Sequence, residues 1–334
     1  MALNVCVLGC GELGSKHAAA WQARPDARVV AVYNRSPERR AAVAGKTGAT
    51  PYDSYEKAVL HEGVDVVSVC VPNCLHAEMA CFAMKHGRHV LCEKPIALTL
   101  DQADRMIETA SDNGVTLSVA LKRRGIARFL KYRQMVETGA FGGPIFMRFN
   151  DVRDVRPKLA MHQPEVNGGP VIDMGCHLFD VMRFITGCEP VDVFARGHIF
   201  GRGTQRLACL GENLAIDAAN IDVGVEGGHH LSMLLCWGMP EGYPEGPEEL
   251  IVGPQVTGRH IDSECRFELQ YPDRLESFTD SDDETATAAP IEAMAEAITK
   301  RREAPLGTGE DGRIALRVSL AALESIRTGK LVRL

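Results

Sequence analysis

Residues 4–14 read NVCVLGCGELG, a strand-forming apolar run that breaks into glycines spaced GxGxxG and resumes as a helix. That order restricts the fold more than any other feature of the chain. Gly9 permits a tight turn off the strand, Gly11 lets a pyrophosphate approach the backbone, and Gly14 lets the helix pack closely on the strand it has just left. Glu12 and Leu13 occupy the variable positions of the loop. The N–H groups at the start of a helix favour negative charge, so this turn suits a dinucleotide. Such a strand needs neighbours, and the following sequence supplies them. RVVAVYN (28–34), VDVVSVCVP (64–72), HVLCEKP (89–95) and VTLSVAL (115–121) read as strands. Helices at 12–24, 37–48, 76–87 and 100–113 separate them. Alternating βα units of this length imply an open parallel sheet with right-handed crossovers.

After Leu121 the pattern changes. A helix at roughly 127–138 leads through GAFGGP into IFMRFNDVRDV, which alternates like an antiparallel strand, and then a helix at VIDMGCHLFDVMRFITG. VDVFARGHI, AANIDVGVEGG and HHLSMLLCW follow as strands joined by glycine-containing turns. PEGYPEGPEE (240–249) and the acidic DSDDETATAAP (280–290) read as exposed connections, and helices at 290–302 and about 310–328 close the chain. The expected organisation is an α/β dinucleotide-binding Rossmann domain over 1–121 and an α+β domain over 122–334.

The formal charge of −7 argues against a nucleic-acid surface, and KRR at 122–124 and 300–302 reads as solvated helix ends. No apolar run approaches the roughly 20 residues that span a bilayer, and MALNVCVLGCGELG begins on a strand with no leader pattern. The 11 cysteines are odd in number, scattered and without a CxxC, which fits a reducing cytoplasm.

The second strand ends Tyr33-Asn34-Arg35-Ser36, where an acid that accepts from the adenosine ribose is usual. An acid would repel a 2′-phosphate; Asn34 does not, and Arg35, Ser36 and Arg39 can bind one. NADP is therefore favoured over NAD. The strand HVLCEKP ends differently again, on two opposite charges, Glu93 and Lys94, before Pro95. An ion pair capping an edge is one reading of them; the other is a lysine held where charge matters.

GCGELG (9–14), VPNCLHAE (71–78), CEKP (92–95), KRR (122–124), GAFGGP (139–144), GGPVIDMGCHLFD (168–180) and TGEDGRIALRVSLAALESIRTGK (308–330), taken in this order and spacing, resemble the Gfo/Idh/MocA family of sugar and polyol oxidoreductases over nearly the whole chain. The resemblance implies a second domain built on a large open, mainly antiparallel sheet, and a homodimer or homotetramer. It implies that Glu93 holds the nicotinamide ribose and that Lys94 reaches the reacting carbon. It places Pro72, Asn73 and His76 beside the nicotinamide and Arg123 near cofactor and substrate. It assigns proton transfer at the substrate hydroxyl to Asp173 and His177. Those two are four apart on the expected helix, so they share a face, and a carboxylate can orient a histidine and raise its pKa. Asp173, His177 and Asp180 could also suggest a metal site, but spacing supplies no further ligand and none is expected. Asp151 and Arg153, on alternate positions of one strand, are the specificity candidates. Trp237 and the 240–249 loop are candidates to close the pocket.

The implied activity is hydride transfer between NAD(P) and a secondary alcohol or ketone of a sugar, inositol or related cyclic polyol. Two other outcomes exist among similar proteins. One is a sugar-modifying lyase or glycosidase that recycles its NAD; the other is a sensor that binds dinucleotide without turnover.

Overall fold

Valine and leucine dominate the first strand, β1 (Leu3–Leu8), because both of its faces are covered. The computed structural model describes residues 2–243, 248–261, 265–281, 283–300 and 306–334. From β1 the chain runs through α1 (Glu12–Gln22), β2 (Ala27–Tyr33), α2 (Pro37–Thr47), β3 (Thr50–Tyr52), α3 (Tyr55–Val59), β4 (Val66–Val69), α4 (His76–Lys85), β5 (His89–Cys92), α5 (Leu100–Asp112) and β6 (Leu117–Val119). Local chemistry sets the helix starts: Ser36, Ser54 and Thr99 accept the N–H of the residue three further on, and Pro37 opens α2.

The six strands pair in parallel in the order β3-β2-β1-β4-β5-β6. Strand order therefore reverses between β1 and β4, and a crevice opens at the carboxyl ends of those two strands. Neither β3 nor α3 was expected from the sequence, since TPY is too short to show a period.

The second set of elements is α6 (Ala127–Glu137), β7 (Phe146–Asp154), α7 (Pro170–Asp173), α8 (Gly175–Thr186), β8 (Pro190–His198), β9 (Ala218–Val225), β10 (His230–Met239), β11 (Glu248–Val252), β12 (Thr257–Ile261), β13 (Arg266–Gln270), β14 (Leu275–Thr279), α9 (Asp283–Lys300), α10 (Gly309–Thr328) and β15 (Val332–Arg333). Nine of the strands form one sheet, in the order β14-β13-β12-β11-β7-β10-β9-β8-β15. Its pairs are antiparallel except β7 with β10, which is parallel, so IFMRFNDVRDV is antiparallel to β11 on one side, as its alternation suggested, and parallel to β10 on the other. One face packs on helices: Phe129 and Tyr132 of α6 meet Phe149 and Phe267. The opposite face exposes Phe146, Leu234, Leu250, Val252 and Leu275. Beneath α6 the Arg128 guanidinium is buried between Glu249 and Asp280, at 3.0 and 2.5 Å. A buried charge needs such partners.

The chain divides into two compact units, Met1–Gly125 with Asp283–Arg313, and Ile126–Asp282 with Ile314–Leu334. A boundary after residue 121 would put 283–313 in the second domain. Its packing is with the first: Ile291, Met294 and Ala295 of α9 join the core of Val5, Val7, Trp21 and Val29. The acidic connection expected over 280–290 is largely the start of α9, where acids such as Glu284 suit the N-terminal end of a helix. Of the 240–249 loop, residues 244–247 lie outside the described residues, as do 301–302 of the second KRR run; Glu248 and Glu249 belong to β11.

Candidate active site

The three glycines of the first turn do different work. A Cβ at Gly9 would sit 2.3 Å from the Cys70 carbonyl oxygen, and one at Gly14 only 1.6 Å from that of Gly9. Packing alone forbids a side chain at both. Gly11 has an ordinary φ of −76°, and a Cβ there would meet nothing within 4 Å. The space in front of Gly11 is thus open at the start of α1, whose N-cap has no side-chain hydrogen bond. Unclaimed N–H groups facing open space fit a pyrophosphate. Glu12 and Leu13 are exposed.

At the end of β2, Asn34 Oδ1 accepts the Ser36 N–H at 2.9 Å, and Ser36 donates to Glu38 at 2.7 Å while capping α2. Ser36 Oγ is therefore already engaged within the protein. The Ser36 hydroxyl holds the Glu38 carboxyl below its ordinary range. Arg35 and Arg39 are exposed. Arg40 donates to the Asn34 carbonyl at 3.0 Å and so sits at this strand end. The run ERR after the turn was the only signal.

Glu93 and Lys94 leave β5, the strand beside β4. Glu93 is buried; Oε1 lies 2.9 Å from His17 Nε2 and Oε2 accepts the Lys94 N–H at 3.1 Å. Burial would raise its pKa, but His17 and Lys94 outweigh burial and hold the carboxyl below its ordinary range. Lys94 is half-buried. His76, expected beside the nicotinamide, has no exposed surface, and its ring nitrogens lie 2.8 Å from the Pro95 carbonyl and 3.0 Å from that of Val71. It joins the loops after β4 and β5 from beneath and is not available for direct contact, a correction that follows from its burial. Burial also lowers its pKa. Pro72 is half-buried, and Asn73 is buried at the start of the intervening turn.

The KRR run at 122–124 forms a 3₁₀ turn and is not a solvated helix end. Arg124 is buried, with its guanidinium 2.9 Å from Asp311, and Arg123 beside it is half-buried. Asp311 also accepts from Thr308 N and Oγ1, both at 2.9 Å, closing a cap at the start of α10.

In the second unit, Gly168 and Gly169 take φ of +83° and +75°, and a Cβ on Gly169 would meet that of Ala215 at 2.4 Å. They turn the chain into α7, which ends at Asp173. The helix expected to run through is interrupted at Met174, and His177 lies in the first turn of α8 with its N–H on the Met174 carbonyl at 3.1 Å. Glycine at position 175 weakens the helix at that joint. Asp173 thus ends the short α7 and His177 lies in the first turn of the next helix; both are buried. Asp151 and Arg153 do pair, Nε to Oδ1 at 2.5 Å. The other Asp151 oxygen accepts the Trp237 indole N–H at 3.1 Å. Trp237 is 2% exposed, so it is a core residue of β10 that steadies Asp151 and not a closing flap. No group of three or more His, Cys, Asp or Glu among the described residues could hold a metal.

A model of an oxidoreductase family with an NAD-binding Rossmann fold matches residues 3–121, and a model of the GFO/IDH/MocA C-terminal domain matches 129–257. A 1,5-anhydro-D-fructose reductase from Ensifer adhaerens is 30% identical over 315 residues, 90% of either chain. A myo-inositol 2-dehydrogenase from Thermotoga maritima is 33% identical over 198 residues, 59% of either chain. Among solved structures, an oxidoreductase domain protein from Kribbella flavida superposes with a TM-score of 0.86 over 99% of both chains, at 20% identity, which speaks for the fold.

Proposed function

The chain belongs to the GFO/IDH/MocA oxidoreductase family, and we propose that it transfers hydride between a nicotinamide dinucleotide and a secondary alcohol or ketone of a sugar, inositol or related cyclic polyol. One observation carries this reading. The glycine turn, the Pro72–His76 loop and the Glu93-Lys94 turn leave the carboxyl ends of three adjacent parallel strands, β1, β4 and β5, at the reversal of strand order. The open space at Gly11 supports dinucleotide binding there, and a bound cofactor supplies the hydride acceptor or donor at its nicotinamide C4.

The chain's own residues do the rest. Glu93, Pro72, Asn73 and Arg123 position the nicotinamide half. The Lys94 ammonium stabilises negative charge on the substrate oxygen. A His177 ring nitrogen takes or returns the hydroxyl proton, and the Asp173 carboxylate supports the imidazolium. Asp151 and Arg153 select the substrate. For the adenosine half we favour NADP: Asn34 replaces an acid, and Arg35, Arg39 and Arg40 bring positive charge, against which Glu38 counts. A homodimer or homotetramer would cover the apolar residues of the open sheet face. A cytoplasmic enzyme fits a chain in which no disulfide forms among the described residues and none of their helices is long and apolar enough to cross a membrane.

The test is a panel of sugars and inositols followed at 340 nm with both cofactors. Net turnover of a polyol supports the reading; tight cofactor with no net absorbance change over the whole panel sinks it. In the active pair, Lys94→Met is expected to lower kcat about 10²–10⁴-fold with cofactor affinity retained. Turnover within a few-fold of the parent would return Lys94 to a plain ion-pair role.

A further inference from the structure

A buried histidine connects the segment that receives the pyrophosphate with the one proposed to hold the nicotinamide ribose. His17 lies on α1, about one helical turn beyond Gly14, and is 1% exposed. Its Nε2 is 2.9 Å from Glu93 Oε1, and its Nδ1 is 3.4 Å from Ser68 Oγ on β4. Ser68 Oγ also accepts the Trp21 indole N–H at 2.8 Å, so the hydroxyl is held from behind by a residue with no exposed surface. Burial opposes charge on His17, while Cys70 and Glu93 beside it act the other way and raise its pKa. An ionised carboxylate only accepts, so the ring nitrogen that faces Glu93 is the donor: Nε2–H donates to Oε1, and Nδ1 faces the Ser68 hydroxyl.

We propose that His17 is a positioning residue for the nicotinamide half of the dinucleotide, fixing the Glu93 carboxylate relative to the helix that opens on the glycine turn. This rests on the reading that Glu93 takes the nicotinamide ribose. An ionised carboxylate has about four acceptor sites. His17 Nε2–H and Lys94 N–H use two of them, one on each oxygen, and the remaining lone pairs are held in one orientation for the ribose hydroxyls. Without His17 the side chain regains its rotamers, and the second ribose must order it on binding. A histidine serving only to fill the core would show no such preference for one half of the ligand.

The experiment uses the full chain and three probes. NADPH and NADH are titrated by nicotinamide fluorescence. ADP, which has the adenosine and pyrophosphate but no second ribose, is titrated by competition. For the preferred dinucleotide, His17→Met is expected to weaken binding about tenfold or more while ADP binding stays within about twofold, because the lost hydrogen bond is to a charged group. His17→Gln, which keeps an N–H donor, should recover most of the loss, and His17→Met should add little in a Glu93→Gln background. Equal loss for ADP and dinucleotide, or no loss for either with a lower melting temperature, would make His17 a core residue and overturn the proposal. If Glu93→Gln weakens the dinucleotide and His17→Met does not, the His17 proposal alone fails. If Glu93→Gln leaves affinity intact, the role assigned to Glu93 fails first and His17 falls with it. Should His17→Met not fold, Ser68→Ala removes the support behind the ring and is expected to give the same split in smaller measure; its absence there also overturns the proposal.

Discussion

In the six-stranded sheet β1, β4 and β5 are covered on both faces, so their side chains meet protein and the chemistry leaves at their carboxyl ends through loops. In the nine-stranded sheet the first halves of β7 and β10 bury alternate residues, so a functional side chain such as Asp151 is set by register within the strand. The first arrangement presents backbone N–H groups and turn residues, which tolerate almost any strand sequence behind them. The second presents side chains, each of which needs a particular neighbour across the ladder. Asp151 stands opposite Leu235, and the indole that holds it comes from two residues further along β10. A parallel sheet therefore exports its function to glycines and turns, whereas a half-open sheet keeps it in pairs.

The glycine turn offers the sharpest way to break this contrast. Gly14→Ala places a methyl group against the Gly9 carbonyl at 1.6 Å. The expected loss of stability is at the upper end of overpacking effects, about 3 kcal/mol. Gly11→Ala has an allowed φ and open space, so the melting temperature should change little while dinucleotide affinity falls. Denaturant midpoints and cofactor titrations on the two variants decide it. If Gly11→Ala binds dinucleotide normally, the pyrophosphate does not approach there, and the turn is a packing device only.

That pair of glycines also shows what the sequence could and could not disclose. The GxGxxG turn and the βα alternation were readable because each depends on a few adjacent residues. Asn34, Glu93 and Lys94 were readable as departures from what a strand end usually carries. His17 was not, since its partners Ser68 and Glu93 lie 51 and 76 residues away and only the fold brings them together. Strands β11–β14 escaped because five-residue segments give no lasting period, and the break at Met174 escaped because helical periodicity survives across it.

A second test sharpens the comparison from within the first unit, where one side-chain pair supports the turn carrying Arg123. Asp311 accepts from Arg124, 187 residues away, and from Thr308. Burial alone would raise its carboxyl, but Arg124 and Thr308 outweigh burial and bring it from 3.8 to about 2. Because the folded value is depressed, the stabilisation is complete above pH about 4 and is lost as pH falls from about 4 to about 2. That shift corresponds to about 2 kcal/mol at neutral pH. Asp311→Asn should lose that amount at pH 7 and flatten the acid limb of a denaturant-midpoint profile. An unchanged acid limb would mean that the pair contributes nothing beyond position.

The smallest expected effect belongs to the second sheet and tests its dependence on pairs most directly. Trp237→Phe preserves most of the buried ring on β10 but removes the indole N–H that Asp151 Oδ2 accepts. Asp151 keeps Arg153 on its other oxygen, so the carboxylate is not left alone. The cost should therefore fall at the low end for a hydrogen bond to a charged group, about 1.5 kcal/mol. If Asp151 selects the substrate, the loosened carboxylate should raise KM for the polyol with little change in kcat or in cofactor affinity, the pattern of an interaction equal in ground and transition states. A fall in stability with KM unchanged would leave Asp151, Arg153 and Trp237 as a structural cluster, and specificity would have to come from residues of other strands. If KM rises, one buried indole two residues along a neighbouring strand is tuning substrate choice, which no inspection of β7 alone could reveal.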